Sequence, residues 1–436
     1  MSQRIGEYAR ARSGFWTMTS RASRTECYVY IALPREVQSV TAGRLELSKD
    51  RSGNSIGRFV YGKSYLARDE AVEIDPVDLK LRDGIFQNYH LNGVFSALRD
   101  AGPDYWGRFV IDRHSGKTGL TEIDYLLESP DDRAGALGFG LNKAPPSPLR
   151  KYNKTVLLDK LQDTADRLLR EQISESDLSI QAQELLLLGT SMGGARPKAV
   201  VEDEHGLWIA KFGRPDDRWN NPRAEHAMLE LARSCGINSA RSRLEKVGGG
   251  DVLLIQRFDR ERTTRGYFRA RMISGLTLLK AEESPFQRER WSYIHMVEEM
   301  RRVVAQPRND AAELFRRMCF NALISNTDDH PRNHALLAFD REWRLSPAYD
   351  LTPSPSVSQQ RDLALECGDF GRLATTKNLL SQCTRFLLSR EEADSIVHEM
   401  TAQVRQEWYP MLRAQGVSEK DAEMLKGAFA YQGFDR

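Results

Sequence analysis

The sequence NTDDHPRN occupies residues 326–333, and the sequence SPAYDLTPS follows it at residues 346–354. The first stretch places Asp328 five residues before Asn333, and the second stretch contains Asp350. One carboxylate can orient an attacking hydroxyl group, while a carboxamide and a second carboxylate can hold Mg²⁺ against the phosphates of a nucleotide. The spacing therefore indicates a phosphoryl-transfer site in which Asp328 orients the acceptor and Asn333 and Asp350 bind the metal.

The segments on both sides of NTDDHPRN are consistent with this interpretation. Residues 334–345, HALLAFDREWRL, predict two short apolar strands around a polar turn, which is the excursion expected before the second carboxylate. Residues 311–324 carry apolar side chains at helical spacing, so a buried helix should deliver the loop from a rigid base. His330 and Arg332 lie within the loop, where they could fix its shape or touch phosphate.

A glycine-rich stretch, GTSMGGARPKAVV, occupies residues 189–201 and enters a predicted strand. Glycine permits close backbone approach, and successive N–H groups can donate to a phosphate. A glycine-rich hairpin turn with no ligand is the alternative, and the stretch lacks the pattern of a Walker A motif. The candidate nucleotide contacts of this stretch are Ser191, Gly193, Gly194, Ala195, Arg196 and Lys198.

Lys211 lies in the apolar strand LWIAKF, residues 207–212. A lysine in such a strand either reaches water at the edge or finds an anionic partner. It follows Lys198 by thirteen positions, which suits a strand, a tight turn and the return strand. We therefore predict that Lys211 binds the nucleotide phosphates, with Glu225 of the following helix as the nearest candidate for an ion pair.

The stretch LLIQRFDR, residues 253–260, predicts an apolar strand that ends in polar residues. Gln256 and Phe258 would lie on one side of it, where their backbone groups could bind adenine. The alternative is an interior strand that runs into a loop.

The composition is that of a globular protein. The 436 residues are 40% hydrophobic with a net charge of +2, which favours neither nucleic acid nor a membrane surface as a direct partner. Five cysteines without a C-x-x-C pair favour a reducing compartment. The sequence contains no apolar run of about 18 residues and no apolar signal core in residues 1–26. We therefore expect a cytoplasmic protein.

The pattern of predicted elements divides the chain into four parts. Residues 1–26 read as a solvated basic tail, with a phosphate-binding arm as the alternative. Residues 27–150 read as a mixed α+β subdomain. Residues 151–284 are rich in predicted strands, and residues 285–436 are mostly helical. This order predicts an α+β fold with a nucleotide cleft between a strand-rich lobe and a helical lobe.

A metal hydrolase is a competing interpretation, because His330 and His334 are spaced i,i+4 beside two aspartates. That spacing binds zinc when both imidazoles share one helix face. Pro331 lies between them and disfavours helical geometry at His330. The glutamate of an H-E-x-x-H motif is also absent.

Taken together, the motifs resemble those of the HipA family, the kinase toxins of bacterial toxin–antitoxin modules. The likeness covers most of the chain and includes, in order, DYWGRFVIDR, SPDDRAGALGF, SMGGARPK, IAKF, IQRFDR, TDDHPRN and SPAYDLTPS. It implies a protein-kinase-like two-lobed fold with an extra N-terminal α+β subdomain and an all-helical C-terminal lobe.

The resemblance also implies roles for individual residues. Asp328 matches the catalytic aspartate, and Lys211 matches the ATP-binding lysine. His330, in the same loop as Asp328, is the second catalytic candidate. Ser191 matches a serine that family members phosphorylate in themselves. The remaining implied positions are Asn333 and Asp350 as Mg²⁺ ligands, Gln256 and Phe258 at adenine, and Asp259 near the ribose. Arg332 is an ATP-binding candidate from its place in the loop alone.

The function implied is an ATP- and Mg²⁺-dependent serine/threonine protein kinase that acts as a toxin. Its implied partners are a protein substrate such as an aminoacyl-tRNA synthetase, a helix-turn-helix antitoxin, and DNA reached through that antitoxin. Two other functions stay open at this point. One is a transcriptional co-repressor with little catalysis, and the other is a kinase for a small molecule.

Overall fold

The computed structural model describes residues 25–115, 119–148, 152–169, 196–284 and 288–435. An antiparallel five-stranded sheet, in the order β4-β3-β2-β1-β5, forms the N-terminal subdomain. Its strands are β1 (Glu26–Ala32), β2 (Ser39–Lys49), β3 (Ser55–Tyr61), β4 (Ile85–Asn88) and β5 (Leu137–Gly140). Its helices are α1 (Lys63–Leu66), α2 (Ser96–Asp100), α3 (Tyr105–Ser115) and α4 (Glu122–Glu128).

The middle of the chain forms a second five-stranded sheet in the order β6-β7-β8-β10-β9. Its strands are β6 (Asn153–Lys154), β7 (Lys198–Asp203), β8 (Gly206–Phe212), β9 (Ser242–Val247) and β10 (Gly250–Gln256), with helices α5 (Leu158–Leu169) and α6 (Asn221–Ser234). Pro222 lies in the first turn of α6, where its missing N–H costs nothing. Both hairpins predicted from the sequence are present as β7–β8 and β9–β10. Their register places Lys198 directly opposite Lys211.

Three further strands lead from the sheets to the helical part. The hairpin of β11 (Arg260–Thr263) and β12 (Gly266–Arg269) is followed by β13 (Arg271–Ser274). Strand β13 pairs with β14 (Ala335–Ala338), which in turn pairs with β15 (Arg344–Leu345). Strands β14 and β15 are the excursion predicted between Asn333 and Asp350. The domain boundary at residue 284 stays a prediction, although the pairing of β13 ties the residues just before it to the helical lobe.

The C-terminal lobe is helical apart from β14 and β15. Its helices are α7 (Gly275–Leu279), α8 (Tyr293–Met300), α9 (Pro307–Leu323), α10 (Thr376–Ser381), α11 (Arg390–Ala414) and α12 (Glu419–Leu425). Helix α9 buries Leu314, Phe315 and Met318 completely, as its helical apolar stripe predicts. Helix α11 packs against α6 and so fixes the position of one lobe on the other.

Two apolar cores connect the parts of the fold. The larger core runs from the N-terminal sheet through α6 into the helices of the C-terminal lobe. The smaller core lies on the middle sheet, where Trp106 of α3 packs among Ala199, Phe212 and Val252. The N-terminal subdomain therefore contacts both lobes beside the cleft between them. No helix among the described residues is long and apolar enough to cross a membrane.

Candidate active site

Lys211 of β8 forms two ion pairs where the two lobes meet. Its ammonium donates to Glu225 of α6 at 2.6 Å and to Asp350 at 2.7 Å. The sequence predicted Glu225 as its nearest partner, and Asp350 comes from the other lobe. The three side chains thus join the strand-rich lobe to the helical lobe at the point where the metal ligands are predicted.

Electrostatics favours the charged forms of Lys211 and Asp350, whereas burial raises the pKa of Glu225. Burial acts to lower the pKa of Lys211, but the carboxylates of Asp350 and Glu225 outweigh it and raise that pKa. Burial acts to raise the pKa of Asp350, and the ammonium of Lys211 outweighs it, so that the pKa lies below its usual value. Asp350 is therefore an anion facing the cleft. Its backbone lies in the left-handed region at φ 60°, which aspartate tolerates better than most residues.

The loop after α9 folds into a tight turn. The backbone N–H of His330 donates to the carbonyl of Asp328 at 2.8 Å, and the side-chain amide of Asn333 donates to the same carbonyl at 3.2 Å. His330 Nδ1 accepts from the backbone N–H of Arg332 at 3.2 Å. Tyr349 donates its hydroxyl to the carbonyl of Arg332 at 2.6 Å, which ties the loop to the strand end beside Asp350. In this geometry His330 shapes the loop.

A buried polar network lies beneath the same loop. The Asp329 carboxylate accepts from the hydroxyl of Tyr293 and lies 3.2 Å from Nε2 of His334. The amide of Asn321 donates to the Tyr293 hydroxyl at 3.0 Å. His334 therefore points into this network, away from His330, so the two imidazoles do not form the shared face that a zinc site would need.

Asp328 differs from its neighbour Asp329, because Asp328 is exposed towards the cleft and Asp329 is buried. Partial burial raises the pKa of Asp328; the charge of His330 opposes that rise, and Asp350 and Asp329 add to it. Asp328 and Asp350 both line the outer part of the cleft, so the two predicted site carboxylates face one space.

The cleft has an inner compartment with a mainly apolar surface. Ile209, Ile255 and Met272 line it, and the rings of Phe258 and Tyr349 lie 5.5 Å apart at its wall. A flat aromatic base can pack against apolar and aromatic side chains of this kind. This compartment reaches Lys211, Asn333 and Asp350 at its polar end.

An outer compartment continues from that polar end and is lined mainly by charged and polar side chains. Asp328 faces this compartment and not the inner one. Part of its wall comes from the N-terminal subdomain, which contributes Arg99, Pro103, Asp104, Tyr105 and Arg108. The sequence motif DYWGRFVIDR contains three of these residues, but nothing in its spacing shows that they meet a loop more than 200 positions later.

Lys198, one of the predicted phosphate contacts, has a buried partner that no spacing in the sequence indicates. Its ammonium donates to Asp104 at 2.7 Å, and both side chains are almost fully buried. Burial and the opposing carboxylate act against one another, and the pKa of Lys198 is lowered overall. Lys198 still lines both compartments. Its predicted role at phosphate therefore requires its ammonium to bind Asp104 and the phosphate at the same time.

Asp259 lies in a separate group of charges at the back of the inner compartment. Its carboxylate accepts from Arg257 at 2.8 Å, from Arg260 at 2.7 Å and from the backbone N–H of Gly135 at 2.9 Å. Arg257 also pairs with Asp132, and none of these side chains is more than 6% exposed. A ribose hydroxyl would therefore have to compete with three existing donors for the carboxylate of Asp259.

The remaining predicted positions are placed as follows. Gln256 ends β10, with its side-chain amide 3.4 Å from the carbonyl of His205. Arg332 donates to Glu283 at 2.8 Å and lines both compartments. Arg196 pairs with Asp217 at 2.9 Å. The predictions for Ser191, Gly193, Gly194 and Ala195 lie outside the described residues.

The side chains at the polar end fit a nucleotide and a divalent ion. Mg²⁺ prefers carboxylate and amide oxygens, and Asp350 and Asn333 present these at the junction of the two compartments. Lys198 of β7 and Lys211 of β8, which lie opposite each other in the sheet, supply positive charge. The apolar inner compartment suits adenine, and the polar outer compartment suits the phosphates and an acceptor.

Comparisons with known proteins agree with this description. The family described as the HipA-like C-terminal domain matches residues 190–408, half of the chain. The solved complex of the Shewanella oneidensis MR-1 toxin–antitoxin system HipA, HipB and its operator DNA contains a chain of similar fold, with a TM-score of 0.66 and 16% identity over 91% of this chain and 94% of that one. This likeness confirms the two-lobed, protein-kinase-like α+β fold with an extra N-terminal subdomain.

Two Sinorhizobium fredii proteins, both named as candidate kinases, are similar in sequence. Y4mE is 26% identical over 29% of this chain, and Y4dM is 29% identical over 38% of it. The matched segments span 31% and 41% of the lengths of those two relatives.

Proposed function

The chain belongs to the family of the HipA-like C-terminal domain, and from that premise we propose that it is an ATP- and Mg²⁺-dependent serine/threonine protein kinase. One observation carries the proposal. Asp328, Asn333, Asp350 and Lys211 come from both lobes and line one continuous cleft whose inner end is apolar and whose outer end is charged.

Asp328 acts on the acceptor in this proposal. Its carboxylate faces the outer compartment, where it can accept a hydrogen bond from a serine or threonine hydroxyl and orient the oxygen for in-line attack. Partial burial raises its pKa, which makes it a better proton acceptor than an ordinary aspartate. The tight turn through His330 and Asn333 fixes the main chain that carries it.

Lys211 positions the nucleotide. Its ammonium is held from two sides by Glu225 and Asp350, so it needs little reorganisation to meet phosphate oxygens at the mouth of the inner compartment. Asn333 and Asp350 would hold Mg²⁺. When bound, the ion neutralises charge on the phosphates and favours departure of the nucleoside diphosphate.

We further propose that the protein is a cytoplasmic toxin of a bacterial module and that a helix-turn-helix antitoxin binds it. The support is family membership and the fold shared with the HipA chain that was solved with HipB and operator DNA. DNA would then be reached through the antitoxin. An aminoacyl-tRNA synthetase as protein substrate and Ser191 as a self-phosphorylated residue also belong to the proposal. A co-repressor without catalysis would not need the ionised cleft described above.

Phosphoryl transfer from γ-labelled ATP tests the proposed function. The wild-type protein should label itself or proteins of a bacterial lysate in the presence of Mg²⁺, and Asp328→Asn should lower the rate at least about a hundredfold. Asp394→Asn is the matched control, because Asp394 is exposed on α11 away from the cleft. Equal labelling by Asp328→Asn and wild type would remove Asp328 from this role. Labelling only of a low-molecular-weight acceptor would indicate a small-molecule kinase.

A further inference from the structure

Arg99 differs from the other cations that line the outer compartment. Those cations have carboxylate partners; for example, Arg108 pairs with Glu122, Arg332 with Glu283 and Lys198 with Asp104. No residue in the described part of the chain forms a hydrogen bond or an ion pair with the guanidinium of Arg99. Among the described residues that line this compartment, Arg99 is therefore a cation that makes no direct contact with a carboxylate.

The surroundings of Arg99 compensate its charge only in part. The side chain is half-buried, and burial lowers its pKa; Glu122 and Glu283 oppose that fall from a distance, while the neighbouring cations Arg332 and Arg108 add to it. A partly desolvated guanidinium gains more from an anionic ligand than an exposed one does. An anion that enters the compartment would neutralise the charge of the Arg99 guanidinium.

The backbone that carries Arg99 is held firmly. The adjacent Asp100 accepts from the backbone N–H of Ser274 at 2.7 Å, from the Ser274 hydroxyl at 2.7 Å and from the Thr277 hydroxyl at 2.6 Å. These bonds fasten α2 to the start of α7 and so to the helical lobe. Arg99 is thus presented from a fixed position, as a specificity-determining residue should be.

The position of Arg99 points to the acceptor and not to the nucleotide. Arg99 lines the outer compartment and a small crevice beside α7, whereas the apolar inner compartment does not reach it. Asp328, which is proposed to orient the acceptor, faces the same outer compartment. Lys198 and Lys211 already provide positive charge where the two compartments join.

Tyr105 indicates that the ligand is a polypeptide. It begins α3 at the rim of the outer compartment, and 75% of its surface is exposed. Exposed aromatic side chains next to an arginine are typical of surfaces that bind protein segments.

We propose that Arg99 binds an aspartate or glutamate side chain that flanks the acceptor serine or threonine of a protein substrate. This inference rests on the proposed kinase function and deepens it, because it names the class of segment that the outer compartment selects. Tyr105 would pack on the same segment as it leaves the cleft. The N-terminal subdomain then contributes to substrate choice.

A positional library of serine peptides with Mg²⁺ and γ-labelled ATP tests the inference. Wild type should prefer an acidic residue at one flanking position by about 10- to 100-fold over the uncharged amide, which is the range for a charge-assisted hydrogen bond. Arg99→Glu should lose that preference and favour lysine or arginine at the same position, while Arg99→Lys should keep part of it. Arg51→Glu is the control, since Arg51 is exposed in the turn between β2 and β3.

The outcomes separate this inference from the function on which it rests. Transfer by wild type without an acidic preference, or a preference that survives Arg99→Glu, overturns the inference and leaves the kinase function standing. A raised KM for ATP in Arg99→Gln with unchanged peptide selection would assign Arg99 to the nucleotide and also overturn it. No transfer by wild type to any peptide or protein would overturn the proposed function and this inference with it.

Discussion

Two clusters of buried charged residues lie beside the inner compartment, and they differ in how far their side chains are already engaged with one another. The closed cluster consists of Asp132, Arg257, Asp259 and Arg260, whose side chains are at most 6% exposed and are engaged with one another. The open cluster consists of Lys211, Glu225 and Asp350, and its members Lys211 and Asp350 face the cleft.

The difference shows that buried charge alone does not identify a functional site. In the closed cluster the carboxylate of Asp259 has two arginines and a backbone donor, so it joins the N-terminal subdomain to the strand-rich lobe. In the open cluster Asp350 shares a single cation with Glu225 and remains accessible to a ligand. We therefore expect the first cluster to govern stability and the second to govern phosphoryl transfer.

Asp132→Ala should have the largest effect on stability. Asp132 is fully buried and pairs with Arg257, so its removal leaves part of a buried positive charge uncompensated. The free energy of unfolding should fall by about 3–5 kcal/mol, measured by urea denaturation. The specific rate of transfer by the folded protein should stay close to that of wild type.

Asp131→Ala is the matched control for that variant. Asp131 is the neighbouring residue, but it is partly exposed and its ion pair with Arg269 is longer, at 3.3 Å. The cost should be less than about 1 kcal/mol. Equal losses for the two variants, or a collapse of activity in folded Asp132→Ala, would contradict the division between the clusters.

Gly275→Ala should have a smaller effect, and it should affect activity more than stability. A Cβ at Gly275 would lie 2.5 Å from the carbonyl oxygen of Pro331, so the methyl group would push on the loop that carries Asp328 and Asn333. Overpacking of this kind costs about 1–3 kcal/mol, and we expect at least a tenfold fall in transfer rate.

Gly249→Ala serves as the control, because a Cβ there meets no atom within 4 Å. Steady-state rates and thermal unfolding of both variants provide the comparison. A Gly275→Ala protein with wild-type rates would show that the contact of α7 with the loop does not position the site.

Much of the open cluster could be predicted from the sequence, because its residues follow elements with strong local patterns. The hairpin spacing predicted that Lys198 and Lys211 lie on neighbouring strands, and the structure pairs them directly. The apolar stripe of α9 and the short strands β14 and β15 were also predicted correctly. Asp328, Asn333 and Asp350 lie around one cleft because these elements bring them there.

The contribution of the N-terminal subdomain could not be predicted in the same way. Asp104 and Lys198 are separated by 94 positions, and their contact depends on the packing of Trp106 against the middle sheet. Such docking is decided by the shapes of two apolar surfaces, which leave no spacing in the sequence. Asp259 shows the same limit, since its partners Arg257 and Arg260 are close in sequence but Gly135 is not.

The binding of ATP by wild type and by Asp350→Asn, with and without Mg²⁺, tests the central claim that the open cluster holds a metal–nucleotide complex. Isothermal titration calorimetry measures it, and the affinity without Mg²⁺ provides the internal reference. We predict that Mg²⁺ raises the affinity of wild type for ATP. In Asp350→Asn this increase in affinity should be smaller by a factor of about ten or more. The same gain in both proteins would contradict the claim.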